Sequence, residues 1–131
     1  METFSVKTSK LAEFIDITKV IRAIISKSGI ISGICTVFVP HTTAGIIINE
    51  NADPNVRGDI LKELDKIVPH VDAYAHAEGN SAAHIKASIM GFSQSIIIEA
   101  GNLVFGTWQG IYFCEFDGPR ARKVYVKIIK G

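Results

Sequence analysis

Cysteine is scarce in this 131-residue chain, with two; there are four prolines and one tryptophan, and the formal charge is only +1. The two cysteines, Cys35 and Cys114, sit in separate apolar runs. They cannot build a disulfide framework or a four-thiolate metal knot, and they read as small buried thiols of a reducing compartment, hence a cytoplasmic protein. A near-neutral chain has no global field to attract nucleic acid or acidic lipid, so neither is an expected partner. No apolar run approaches the roughly 20 residues of a membrane span. Met1-Glu2-Thr3-Phe4 lacks the basic and apolar blocks of a secretory leader. Walker loops, Gly-x-Gly-x-x-Gly, Gly-x-Ser-x-Gly and Cys-x-x-Cys are absent too, which weakens nucleotide-cofactor, serine-nucleophile and redox readings.

What is present is apolar and β-branched. With 47% hydrophobic and 21% charged residues, the chain suits one globular domain, residues 1–131, with a modest core. Thr3 to Thr8 alternates like a strand. Asp16 is positioned as the N-cap of a helix with Ile17, Val20, Ile21, Ile24 and Ile25 on one stripe, ended by Gly29. Ile30 to Val39 reads as a buried strand and Ala44 to Glu50 as another, with Pro40-His41-Thr42-Thr43 between. Asp53-Pro54 starts a second helix that Pro69 ends. His70 to Gly79 is irregular, and Ser81 to Met90 is a third helix closed by Gly91. Phe92 to Glu99, Leu103 to Asp117 (as one or two strands) and Lys123 to Lys130 complete the pattern. Strands outnumber helices and do not alternate with them. The expected fold is α+β, with packed, mainly antiparallel sheets and about three helices.

Chemistry-bearing residues concentrate in a few places. Period-two alternation along the strand after Gly106 puts Gln109, Ile111, Phe113, Glu115 and Asp117 on one face and Trp108, Tyr112, Cys114 and Phe116 on the other. Glu115 stands where a core would place an apolar side chain, and a buried carboxylate needs a partner. His41 lies at a strand junction, His76 in a polar loop and His84 on the third helix; three imidazoles from three elements suit a catalytic zinc with one open position. The spacing matches no compact zinc signature. Glu50 closes an apolar strand, and Glu78 precedes the turn Gly79-Asn80, where it can reach a metal or a proton. Arg120, with Arg122 and Lys123, forms the one local basic cluster, a candidate anchor for a phosphorylated molecule.

Taken together, Pro40-His41-Thr42-Thr43-Ala44-Gly45-Ile46, Asn49-Glu50-Asn51-Ala52-Asp53-Pro54, His76-Ala77-Glu78-Gly79-Asn80 with Ala83-His84-Ile85, and Gly106-Thr107-Trp108-Gln109-Gly110 through Glu115-Phe116-Asp117-Gly118-Pro119-Arg120 resemble the YjbQ-like family over nearly the whole chain. Members of that family are often labelled secondary thiamine-phosphate synthase enzymes. The resemblance implies a small α+β domain that assembles as a homotrimer. It also implies an activity that joins a pyrimidine-methyl diphosphate to a thiazole phosphate and releases diphosphate. By the same resemblance His41, His76 and His84 are metal ligands, and Glu50, Glu78, Asn80, Gln109 and Glu115 line the site. Glu115 is expected to orient one of the histidines. Asn55 departs from the acidic residue that the family would place after Asp53-Pro54.

The residues alone lean elsewhere. Three histidines favour zinc, and zinc suits water activation, so they point to a metal-dependent hydrolase of a small phosphorylated or acyl substrate. Departure of diphosphate favours a hard cation such as magnesium or basic side chains. A non-catalytic metal- or metabolite-binding module is the third reading.

Overall fold

The computed structural model describes residues 1–131. Its elements are β1 (Glu2–Lys7), β2 (Glu13–Asp16), α1 (Thr18–Ser28), β3 (Gly33–Phe38), β4 (Ala44–Glu50), α2 (Pro54–Ile67), α3 (Ser81–Met90), β5 (Ser93–Glu99), β6 (Asn102–Leu103), β7 (Gln109–Glu115) and β8 (Ala121–Lys130). The strands form a five-stranded sheet, ordered β1-β8-β3-β5-β6, and a three-stranded sheet, ordered β2-β7-β4. Every pairing is antiparallel. The fold is therefore α+β, as the strand-rich pattern requires. No helix is long and apolar enough to cross a membrane.

The two sheets face each other across the main core. Val6, Cys35, Val37, Ile96, Ile98, Val124 and Val126 come from the larger sheet, while Ala44, Ile46, Ile111 and Phe113 come from the smaller. Helix α1 closes this core with Ile21 and Ile25, a consequence of its 3.6-residue stripe. On the other side of the small sheet, Phe14, Tyr112, Cys114 and Phe116 pack against Leu64 of α2 and Ala83 and Ala87 of α3. The alternation along β7 is thus used twice: one face fills the sandwich and the other seats the helices. Cys35 and Cys114 are both free and buried. Burial pushes the Cys35 thiol up to about 11 and the Cys114 thiol higher still.

Three local readings shift. Asp16 ends β2 instead of sitting at the N-cap position, and its Oδ1 accepts from Thr18 N–H at 2.9 Å, one residue further in. β2 itself escapes a periodicity test because four residues are too few to show alternation. The 103–117 stretch forms two strands, β6 and β7, one of the two arrangements expected, but Trp108 lies in their connection, 61% exposed, instead of on a strand face.

The outer face of the large sheet has no helix over it. Ile97, Ile34 and Ile129 lie side by side across β5, β3 and β8, about half exposed. Two rows further along, Phe38 stacks on Tyr125 with ring centroids 6.3 Å apart.

Candidate functional site

The Pro40–Thr43 junction leaves β3 at the same end of the sandwich where β7 finishes and β8 begins. There the chain turns through Gly118-Pro119, joined by a cis peptide bond. Helix α3 brings its N-terminus to the same end, while Gly45 on β4 lets the C-terminal end of the helix pack closely on the small sheet. A methyl group at Gly45 would meet Gly91 O at 2.7 Å and Met90 Cβ at 3.2 Å. The result is an open cleft of about 790 Å³, within the range of small-molecule sites. His41, His76, His84, Glu78, Asn80 and Arg120 line it together with Asp117 and Arg122.

Glu50 and Gln109 are not gathered there. They face each other at the far end of the β4–β7 ladder, whereas Ala44 and Glu115 pair at the cleft end. Six residue steps at about 3.3 Å each separate the two ends by about 20 Å. Gln109 Oε1 instead accepts from Gly106 N–H at 2.8 Å, and the Glu50 carbonyl accepts from the Tyr112 hydroxyl at 3.1 Å. Period-two reasoning shows that Gln109 and Glu115 share a face; it cannot show that a fully extended strand carries them to opposite ends.

Glu115 is fully buried beneath the cleft and does not line it. Its Oε1 accepts from Thr8 Oγ1 at 2.8 Å and Arg122 Nε at 2.9 Å. Its Oε2 accepts from Arg122 Nη2 and from the backbone N–H groups of Phe116 and Asp117, both at 3.1 Å. None of these donors is a histidine; the group Glu115 orients is Arg122. The chain turn over this pair requires Gly118, since a Cβ there would meet Thr8 Oγ1 at 2.8 Å and Glu115 Cγ at 2.9 Å.

His41 is held from the other side, where its Nε2 accepts from the Lys123 N–H at 2.9 Å. With Nε2 as the acceptor, the proton of neutral His41 sits on Nδ1, which is left to donate to an anionic group in the cleft. Partial burial, with the Arg122 charge next in size, lowers the His41 pKa below the ordinary imidazole value. His76 and His84 meet edge to face, with centroids 5.6 Å apart. Glu78 Oε2 lies 3.9 Å from His76 Nε2. Asn80 Nδ2 donates to Asp117 Oδ2 at 3.0 Å, and Arg120 Nη2 donates to the same oxygen at 3.0 Å. Asn80 Oδ1 is the one sealed side-chain polar atom without a partner.

No three His, Cys, Asp or Glu side chains are gathered into a ready metal cage. The His76–His84 pair nevertheless suits a shared cation. With Zn–N about 2.1 Å and an imidazole radius of about 1.2 Å, two ligands on one tetrahedral zinc have centroids about 5.4 Å apart. The observed 5.6 Å is close to that.

Sequence reasoning gave no individual role to Thr8 or Thr43, and named Asp117 and Arg122 only within larger groups. Asp117 shares the strand face of Glu115 and lies inside the Glu115–Arg120 motif, and Arg122 belongs to the basic cluster. That Arg122 points inward while Lys123 points out follows from strand alternation once the start of β8 at Ala121 is known.

The model of the family described as UPF0047 protein YjbQ-like matches residues 2–131. The UPF0047 protein YugU of Bacillus subtilis is 52% identical over 130 residues, covering 98% of each chain. A UPF0047 protein of Methanocaldococcus jannaschii is 55% identical over 126 residues, covering 96% of this chain and 91% of its own. Among solved structures, an uncharacterized conserved protein of the YjbQ/UPF0047 family from Clostridium acetobutylicum superposes with a TM-score of 0.97 at 62% identity, covering 98% of this chain and 100% of its own. A Sulfolobus solfataricus protein of unknown function gives a TM-score of 0.95 at 35% identity, covering 99% of this chain and 96% of its own.

Proposed function

The chain belongs to the UPF0047 YjbQ-like family, and from that premise we propose that its cleft acts on a small phosphorylated substrate with the help of a divalent cation. The observation that carries this reading is the convergence of three histidines and an arginine on one open cleft. In this reading His76 and His84 hold the cation, His41 donates from Nδ1–H to a substrate oxygen while Nε2 accepts from Lys123, and the imidazole pair favours zinc. Such a cation polarises a phosphoryl oxygen and activates water. Arg120, whose fork is fixed by Asp117, anchors the phosphate from the rim. Glu78 Oε2 is the carboxylate oxygen beside His76 that takes up or returns a proton. Hydrolysis of a phosphate ester is the reaction these groups suit best.

A second reading is the thiamine-phosphate synthase reaction, in which a pyrimidine-methyl group passes from its diphosphate to a thiazole phosphate. The volume of the cleft, about 790 Å³, favours it, because that reaction needs room for two substrates. Diphosphate departure would then be met by Arg120 and the cation, magnesium in that case.

Metal analysis and turnover of purified protein, loaded with zinc or magnesium, test both readings. Phosphate release from single esters that His84→Ala abolishes together with bound metal supports the hydrolase; full activity in metal-stripped protein refutes it. Diphosphate release only when both thiamine precursors are present supports the transferase. Tight stoichiometric binding without turnover across the panel leaves a binding module. We also propose that copies of the chain associate, as a homotrimer, through the uncovered face around Ile34, Ile97 and Ile129.

A further inference from the structure

Arg122 is 97% buried, yet it is counted among the side chains that line the cleft, and the two facts together are informative. Its bonds use one edge of the guanidinium. Nε donates to Glu115 Oε1 at 2.9 Å, and Nη2 donates to Glu115 Oε2, to Thr43 Oγ1 at 2.8 Å and to Thr43 O at 3.3 Å. Nη1 takes part in none of these bonds. Were Nη1 also sealed, it would be a buried polar atom without a partner, and Asn80 Oδ1 is the only such atom in the protein. Nη1 therefore has access to the cleft, and it is the one part of this guanidinium left to bind something.

We propose that Arg122 Nη1 is a built oxyanion donor in the floor of the cleft, binding a phosphoryl oxygen of the substrate, with Glu115 and Thr43 as its positioning residues. The proposal rests on the reading that the cleft takes a phosphorylated substrate. A planar guanidinium clamped bidentately along one edge presents the other edge at a fixed angle, which a lysine ammonium cannot do. Glu115 cancels the charge of Arg122, so the pair selects by direction and contributes little long-range attraction. Arg120 differs in kind: it is about half exposed and bridged to Asp117 at the rim. The two arginines thus divide the work. Arg120 meets the incoming anion and Arg122 fixes one of its oxygens. A buried ion pair seldom stabilises more than apolar side chains of the same size would, so stability alone does not account for a donor turned to the cleft.

The test is binding of inorganic phosphate to the whole zinc-loaded protein, by calorimetry and by the guanidinium N–H resonances. Arg122→Lys keeps the charge and loses the fork; Glu115→Met/Arg122→Met removes the pair while keeping the core filled, should the single variant fold poorly. A charged hydrogen bond lost corresponds to about tenfold to a hundredfold weaker binding. We expect that loss in both folded variants, and a shift of the Arg122 Nη1 resonance when phosphate is added to the wild type. Wild-type binding that folded Arg122 variants retain within about threefold overturns the role of Arg122 and leaves the phosphorylated-substrate reading intact. No phosphate binding by the wild type, with zinc or without, overturns both.

Discussion

Replacing Glu115 by alanine removes the carboxylate that five hydrogen-bond donors share and strands a guanidinium that is only 3% exposed. Breaking a buried pair from one side costs about 3–5 kcal/mol, because the remaining charge stays desolvated. Against a typical total of about 5–15 kcal/mol, this is a large fraction. At about 2.1 cal/mol/K per residue, the unfolding entropy of a chain this size makes 1 kcal/mol worth about 3–4 °C. Glu115→Ala should therefore lower Tm by about 10–18 °C. The paired Glu115→Met/Arg122→Met change should cost less than the single one, about 1–3 kcal/mol. It strands no charge: Thr8 Oγ1 keeps the Arg120 carbonyl and Phe116 N–H keeps the Thr43 carbonyl as acceptors, which leaves Asp117 N–H and Thr43 Oγ1 to find water. Urea and thermal unfolding followed by circular dichroism read both numbers, and the far-ultraviolet signal is the right probe because the single tryptophan, Trp108, is exposed and insensitive. A Glu115→Ala loss under about 1 kcal/mol, or a double variant that loses the sum of the two singles, would refute the reasoning.

Two other outcomes follow from the same geometry. If the uncovered sheet face joins three copies, sedimentation should give about three times the 14.2 kDa of one chain, and Ile34→Glu should reduce it to the monomer mass while leaving the circular dichroism spectrum unchanged; a wild-type monomer counts against it. In metal-free protein His41 should titrate below the ordinary imidazole value of 6.5, since burial and Arg122 oppose its protonation. A lowered native pKa means that the stability it contributes is present above that value and is lost as pH falls through the native one. Imidazole NMR titration decides this point, and a His41 pKa at or above 6.5 would contradict it.

Much of the fold was legible because burial writes itself into local periodicity. The two faces of β7 and the stripe of α1 were readable from residue spacing alone, since each side chain's direction follows from a period of 2 or 3.6. The helix start at Asp53-Pro54 was equally local: Asp53 accepts from Asn55 N–H at 2.9 Å. The site was legible in part. His41, His76, His84, Glu78, Asn80 and Arg120 stood out as polar residues at element ends, and the fold does bring them to one cleft. Glu50 and Gln109 stood out for the same reason, yet lie at the other end of the small sheet.

The sequence by itself determined the element types, the single α+β class, the buried thiols and the demand that Glu115 find a partner. Each of these depends on neighbours within a few residues or on the cost of burying a charge. Only the tertiary structure decided which partner Glu115 takes. Strand β8 returns beside β1 and β3 and lays Arg122 against a carboxylate seven residues earlier, while Thr8 arrives just after β1 and Thr43 just before β4. No local rule pairs these four residues. Antiparallel register across two sheets does, and it turns an oddly placed glutamate into the support for the cleft floor.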